Sequence, residues 1–222
     1  MKDRMGKFTK LFAVPDFAVP YIHNFVSDEE IDLVNAFNGE KLTVAEAAVK
    51  LEVSEEEAAK ALHEAYLVSV FNKKEEEDKT YYETANFYEK LDYQCKFDEG
   101  YFDIPKDVRD ELDQWCYDEY KKIMLPFFDK IRQGEPVDKE RETFLLLEDL
   151  DEFLNSEKYR VVPCNCRNLK QGCDKPTETC MRFDKTIDER TFGREITKEE
   201  AKEIILNADK KGLMHTVNRD WR

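Results

Sequence analysis

The fold is decided largely by the stretch SDEEIDLVNAFNGEKLTVAEAAVKLEVSEEEAAKALHEAY, residues 27–66. It contains three capping boxes, in which a Ser or Thr hydroxyl accepts from a backbone N–H at a helix start and a Glu three residues later bonds back to the cap. These boxes predict three short helices, at about residues 28–37, 44–51 and 55–66. The capping pairs are Ser27–Glu30, Thr43–Glu46 and Ser54–Glu57.

The residues after the third helix change character and indicate a β-hairpin. An apolar stretch at 67–71 is followed by a charged tip at 72–79 and a Tyr-rich stretch at 80–87. Three helices followed by a hairpin is the order of a winged helix. We therefore predict a winged-helix-like module at residues 25–100.

The third helix of such a module would be the one that reads DNA. Its outward side chains include Glu55, Glu56 and Glu64, with Lys60 as the one cation. A helix face of this sign repels phosphate. The sequence therefore argues against DNA binding, and we expect the module to contact protein.

The remaining residues divide into an N-terminal arm at 1–24, a connecting helix at 101–140 and a four-cysteine domain at 141–222. The fold class expected for the whole chain is mainly α with small β elements.

Several elements are predicted outside the winged-helix-like module. A long amphipathic helix should cover about 105–132 and end or kink at Pro126. Further predictions are a helix at 144–154, a strand at 159–162 and a polar connector at 134–141. A fourth capping box, Thr197–Glu200, predicts a helix that runs to about 211 and stops at Gly212.

Charge and hydropathy limit the classes of partner. The chain has 222 residues, a net charge of −15 and a pI of about 4.8. So acidic a protein is poorly suited to a nucleic-acid backbone or an anionic membrane. No apolar run approaches the roughly 20 residues that span a bilayer. The sequence therefore predicts a cytoplasmic protein without membrane contact, in which clustered cysteines indicate metal or redox chemistry.

The cysteines concentrate in the segment PCNCRNLKQGCDKPTETC, residues 163–180. It holds four of the six cysteines, Cys164, Cys166, Cys173 and Cys180, with the spacing C-x-C-x6-C-x6-C. Four thiolates suit one tetrahedral Zn or one [4Fe–4S] cluster. Cys164 and Cys166 would share one face of a flat strand. The lack of a second close pair favours iron–sulfur, with zinc and four unrelated buried thiols as the alternatives.

Two longer stretches carry a family resemblance. YRVVPCNCRNLKQGCDKPTETCMRF at 159–183 and GREITKEEAKEIILNADKKGLMH at 193–215 resemble a segment of iron–sulfur proteins of anaerobic bacteria and archaea. In that family a C-x-C-R…C…P-x-E-x-C run precedes a G-R-x-[IL]-[ST]-x-E-E-A helix ending in G-L-[VM]-H. The resemblance covers roughly residues 140–216 well, and a winged-helix-like region often comes first. It implies cluster binding by the four cysteines.

The same family commonly continues into a two-cluster ferredoxin domain with C-x2-C-x2-C-x3-C-P runs, and this sequence contains no such run. Arg167 and His215 match the family pattern. Arg167 could bond cluster sulfide or an anionic partner, or be a surface side chain. His215 could tune the cluster from nearby or serve as an alternative ligand, or it could stabilise the end of the last helix through the helix dipole.

The other candidates for chemistry are weaker. Cys95 and Cys116 are expected to be core residues, and no Ser-His-Asp, HExxH or P-loop pattern appears. We therefore expect an electron carrier or an accessory subunit of an anaerobic redox enzyme. Its partner would be a redox protein, and a homo-oligomeric state stays open. The alternatives are a redox-sensing winged-helix transcription regulator and a zinc-stabilised protein-interaction module.

Overall fold

The computed structural model describes residues 2–135 and 143–217 and contains two compact units, Met1–Arg109 and Asp110–Arg222. In the described residues most of the regular structure is helical, and the strands form small antiparallel sheets. The predicted fold class, mainly α with small β elements, is confirmed at this level.

The first unit is a helical assembly with one hairpin. The three helices predicted from the capping boxes are present and end within one residue of the predicted positions. Two 3-10 segments, at Asp16–Asn24 and Glu99–Asp103, lie between the helices. The α-helices are α1 (Lys2–Leu11), α2 (Asp28–Phe37), α3 (Val44–Leu51), α4 (Glu55–Leu67) and α5 (Phe87–Phe97).

All three capping boxes are formed. In the first, the Glu30 backbone N–H donates to Ser27 Oγ at 3.1 Å, and the Ser27 N–H donates to Glu30 Oε2 at 2.7 Å. The boxes at Thr43 and Ser54 repeat this exchange. Each box satisfies backbone donors that a helix start leaves free, which explains why the boundaries were predictable.

The hairpin consists of β1 (Phe71–Glu76) and β2 (Lys79–Thr84), which pair antiparallel. Glu77 and Asp78 form its turn, with φ of 48° and 61°. Leu42, between α2 and α3, exchanges backbone hydrogen bonds with Tyr82 of β2 at 3.0 and 2.8 Å. The hairpin is thereby tied to the helices, and Phe71 packs edge-on against Phe37 with ring centroids 4.6 Å apart.

The long helix α6 (Lys106–Arg132) contains Pro126 and continues beyond it. Of the two alternatives predicted at Pro126, the end of the helix is therefore wrong, and the kink stays a prediction. A proline removes one backbone donor and crowds the preceding turn. The other backbone hydrogen bonds of this long helix can still form, so the helix continues past the proline.

The second unit is built around a three-stranded antiparallel sheet with the order β5–β4–β6. A separate two-stranded sheet pairs β3 with β7. The core at the main sheet contains Leu150, Leu154, Tyr159, Val161, Ile196 and Ala201. The strands are β3 (Thr143–Leu145), β4 (Tyr159–Pro163), β5 (Glu178–Phe183), β6 (Arg194–Ile196) and β7 (His215–Val217), and the helices are α7 (Leu150–Phe153), α8 (Asn165–Lys170) and α9 (Lys198–Lys210).

Two predictions for this unit need correction. Residues 144–154 do not form one helix, because β3 pairs with β7 and only α7 is α-helical, so strand pairing outweighs the local apolar spacing. The fourth capping box is half formed. Thr197 Oγ1 accepts from the Glu200 N–H at 3.1 Å, while the Glu200 carboxylate pairs with Arg194 at 2.7 Å. The predicted connector at 134–141 lies mostly outside the described residues.

Candidate metal centre

The antiparallel pairing of β4 and β5 places the first and last cysteines of the segment side by side. Val162 of β4 lies opposite Cys180 of β5, and the register shifts between Val162 and Pro163. Beyond this shift the Cys164 N–H donates to the Thr177 carbonyl at 2.8 Å. Cys164 is therefore held beside the start of β5, next to Cys180.

The helix α8 begins directly after Cys164, which is its N-cap residue. The Asn168 N–H donates to the Cys164 carbonyl at 3.1 Å, closing the first helical turn. The prediction that Cys164 and Cys166 lie on one flat strand is therefore wrong, because β4 ends at Pro163. The turn into α8 nevertheless brings the two sulfurs to 3.0 Å.

Three sulfurs meet at Cys164. Hydrogen bonds with Cys166 and then Cys180 lower the pKa of the Cys164 thiol well below its ordinary value, and the Arg167 backbone N–H adds to this. The Cys164 thiolate in turn raises the pKa of the Cys166 thiol through their hydrogen bond. The geometry thus favours one thiolate at Cys164, within contact of two further thiols.

The structure does not bring Cys173 into this group. Cys173 is exposed in the segment between α8 and β5 that has no regular structure. Within the ranges 2–135 and 143–217, no three Cys, His, Asp or Glu side chains are arranged to hold a metal ion. The sulfur contacts described for Cys164 are those with Cys166 and Cys180. The six cysteines all lie in the described part of the chain, and none of them forms a disulfide. Cys95 of α5 is buried, as predicted for a core residue, whereas Cys116 of α6 is half-buried, so the prediction is wrong for Cys116.

Arg167 links the two halves of the cysteine segment. Its Nη1 donates to Thr179 Oγ1 at 2.8 Å, while its backbone N–H points to the Cys164 sulfur. An amide N–H and a guanidinium beside a thiolate both stabilise negative charge on sulfur.

His215 lies on β7, where it pairs with Leu145 of β3. Its Nε2 is buried without a hydrogen bond and is 3.5 Å from Asp209 Oδ1 at the end of α9. The described contacts of His215 are therefore with the end of the last helix and with the small sheet.

Sequence reasoning missed the residues that hold the loop after β5 against β4. Arg160 donates from Nε to the Phe192 carbonyl at 3.0 Å and also bonds the Gly193 carbonyl. Gly193 has a φ of +82°, and a Cβ there would lie 2.2 Å from the Val161 carbonyl oxygen. This close approach demands glycine. Gly193 itself could have indicated this contact, because it is the first residue of the stretch 193–215 that carries the family resemblance.

Comparison with known proteins adds nothing to this geometry. No protein-family model, no curated protein and no solved structure matches the chain. Among the described helices, none combines the length and the apolar character needed to cross a membrane.

Proposed function

We propose that this protein binds an iron–sulfur cluster through Cys164, Cys166, Cys173 and Cys180, and that it serves a redox enzyme as an electron carrier or accessory subunit. The observation that carries the proposal is the contact of the Cys164 sulfur with the sulfurs of Cys166 and Cys180. When bound, such a cluster exchanges single electrons.

The donor set fits this group chemically. Thiolates are the ligands that iron–sulfur clusters require, and the site presents one buried cysteine, Cys164, beside two exposed ones. The Arg167 N–H directed at sulfur and the guanidinium bonded to Thr179 supply positive charge beside the thiolates. Cys173 lies in a segment without regular structure, so its thiolate can be recruited without breaking a strand or a helix.

Zinc is the competing occupant, because sites with four cysteine ligands are common structural zinc sites. The two metals differ in a simple observable, since iron–sulfur clusters absorb visible light and Zn²⁺ does not. Protein purified without oxygen should therefore be coloured and should bleach on chemical reduction. A colourless protein with bound zinc would replace this proposal with the zinc-stabilised interaction module.

The first unit supports a second candidate, a redox-sensing transcription regulator. Helices α2, α3 and α4, the hairpin and the Leu42–Tyr82 bridge follow the order of a winged helix. Against DNA binding, α4 begins with Glu55, Glu56 and Glu57. We therefore assign this winged-helix-like module to docking on a partner protein. A mobility shift on DNA that depends on the state of the cluster would instead favour the regulator.

A further inference from the structure

The first unit contains an open groove of about 680 Å³ beside α2 and α4. Its floor is apolar, and α4 contributes Ala58, Ala61 and Ala65 to it. These positions share one face of a helix, and their small side chains leave the space above them free. Leu33, Leu51, Val53 and Val68 complete the apolar lining.

The rim of the groove is acidic. None of the lining residues, all within the described part of the chain, is Lys, Arg or His, whereas five are Asp or Glu. One of these, Asp32, pairs with Arg4 of α1 at 2.5 Å. The other four are Glu29, Glu30, Glu57 and Glu64.

The four remaining carboxylates keep the rim negative. Glu30 and Glu57 accept hydrogen bonds within their capping boxes, which satisfy backbone donors without neutralising the charge. Hydrogen bonds from Ser54 hold the pKa of Glu57 below its ordinary value. Glu64 faces Lys60 at 4.0 Å, in a pair that is largely exposed and therefore weak.

We propose that this groove binds a basic amphipathic helix of a partner protein. The proposal rests on the docking role assigned above to the winged-helix-like module, and it names the docking site. Charge complementarity selects the occupant, because Lys and Arg beside the four glutamates are attracted while phosphate or an acidic peptide is repelled. The apolar floor takes side chains at i, i+3, i+4 and i+7 of one helix face.

The residues that line the groove indicate which secondary structure a bound peptide adopts. The groove is lined by helices and turns, and no sheet edge among its lining residues offers unpaired backbone groups. An extended peptide would therefore bury backbone N–H and C=O groups without partners, which costs free energy. A helix satisfies these groups internally and exposes only its side chains.

The test uses the full-length protein and two fluorescent peptides of about 15 residues, long enough to form a helix on binding. Both carry Leu at the four anchor positions. One has Lys on its flanks and the other has Glu. We expect the Lys peptide to bind with an affinity that falls with added salt, and the Glu peptide not to bind, as measured by fluorescence anisotropy.

Matched variants locate the site. Glu64→Lys, at the rim, should weaken the Lys peptide about tenfold more than Glu56→Lys, which makes the same charge change at an exposed position of α4 outside the groove. Ala61→Phe should fill the groove and abolish binding. Val49→Phe, at an 81 % exposed position of α3 outside the groove, should leave binding unchanged.

Three outcomes would overturn the inference: no binding of the Lys peptide, equal binding of both peptides, or equal effects of the groove and control variants. Circular dichroism of each variant shows that it is folded. The metal content of the same preparations is measured separately. A protein that contains a cluster but binds no peptide would refute only the proposed role of the groove. A protein that binds the peptide but contains no cluster would refute only the proposed cluster.

Discussion

Arg167 Nη1 donates a hydrogen bond to Thr179 Oγ1 at 2.8 Å, and this contact joins the residue after the second cysteine to the residue before the fourth. The bond ties the helix α8 to the strand β5 on either side of the sulfurs. It is a charge-assisted bond, whose loss costs about 1.5–3 kcal/mol.

Thr179→Val should remove this bond and leave the four cysteines in place. We expect metal to be lost to a chelator at least about tenfold faster than from the wild type, since about 1.4 kcal/mol corresponds to a factor of ten. The control is Thr177→Val, because Thr177 is exposed and uses its backbone carbonyl to hold Cys164. Equal rates of metal loss from the two variants would show that the Arg167–Thr179 contact does not stabilise the site.

The contribution of Cys173 separates a four-cysteine site from a three-cysteine one. Cys173→Ser should reduce the metal content as strongly as Cys180→Ser, although the structure groups only Cys164, Cys166 and Cys180. Cys116→Ser, on α6 and outside the segment, should keep the full metal content. Retention of metal by Cys173→Ser, measured as iron and zinc per chain, would remove Cys173 from the ligand set.

Gly193 and Gly172 form a matched pair for stability. Gly193→Ala forces a Cβ to 2.2 Å from the Val161 carbonyl at a φ of +82°, so we expect a loss of about 2 kcal/mol or more. Gly172→Ala meets no atom closer than 3.8 Å and should change stability by less than about 1 kcal/mol. Urea unfolding followed by circular dichroism compares the two variants. Similar midpoints would contradict the close packing of Gly193 on β4.

Lys90 makes the stability of the first unit depend on pH. Its Nζ donates to the Val68 carbonyl at 2.9 Å, and burial lowers the pKa of Lys90 to about 8, against 10.5 for an exposed lysine. Between these values the unfolded chain binds more protons than the folded one, so this contribution to folding stability rises with pH. Below about pH 8 both states are protonated, and the cost of burying the charge is constant.

The free energy of unfolding of Lys90→Met, relative to that of the wild type, should therefore be highest near pH 7. The stability of the wild type relative to this variant should rise by up to about 3 kcal/mol between pH 8 and pH 10.5. Unfolding of both proteins across this range measures the difference, in which the contributions of groups that Lys90 does not contact cancel. Tyr93 is the neighbour to consider, since Lys90 Nζ lies 4.7 Å from the centroid of its ring. A difference that stays flat over the whole range would mean that Lys90 is not desolvated.

The helices of the first unit could be predicted because their signals are local. A capping box needs only residues three apart, and Ser27, Thr43 and Ser54 each form one. For the cysteine site, only the residue types could be predicted from the sequence, and their arrangement in space could not. The sulfur contact of Cys164 with Cys180 depends on the register of β4 with β5, a long-range pairing that spacing along the chain does not encode.

The same limit explains the errors. Phe144 and Leu145 have the spacing of a helix but lie in β3, because β7 supplies a partner strand from the other end of the unit. The groove beside α2 and α4 also escaped prediction. Ala58, Ala61 and Ala65 are ordinary helix-forming residues in the sequence, and only the packing of neighbouring helices makes them a floor.

The most direct measurement is the content of iron, acid-labile sulfide and zinc in protein purified without oxygen. We predict about four iron and four sulfide per chain, with little zinc and a visible absorption that bleaches on reduction. One zinc per chain without iron, or a colourless protein with neither metal, would contradict it.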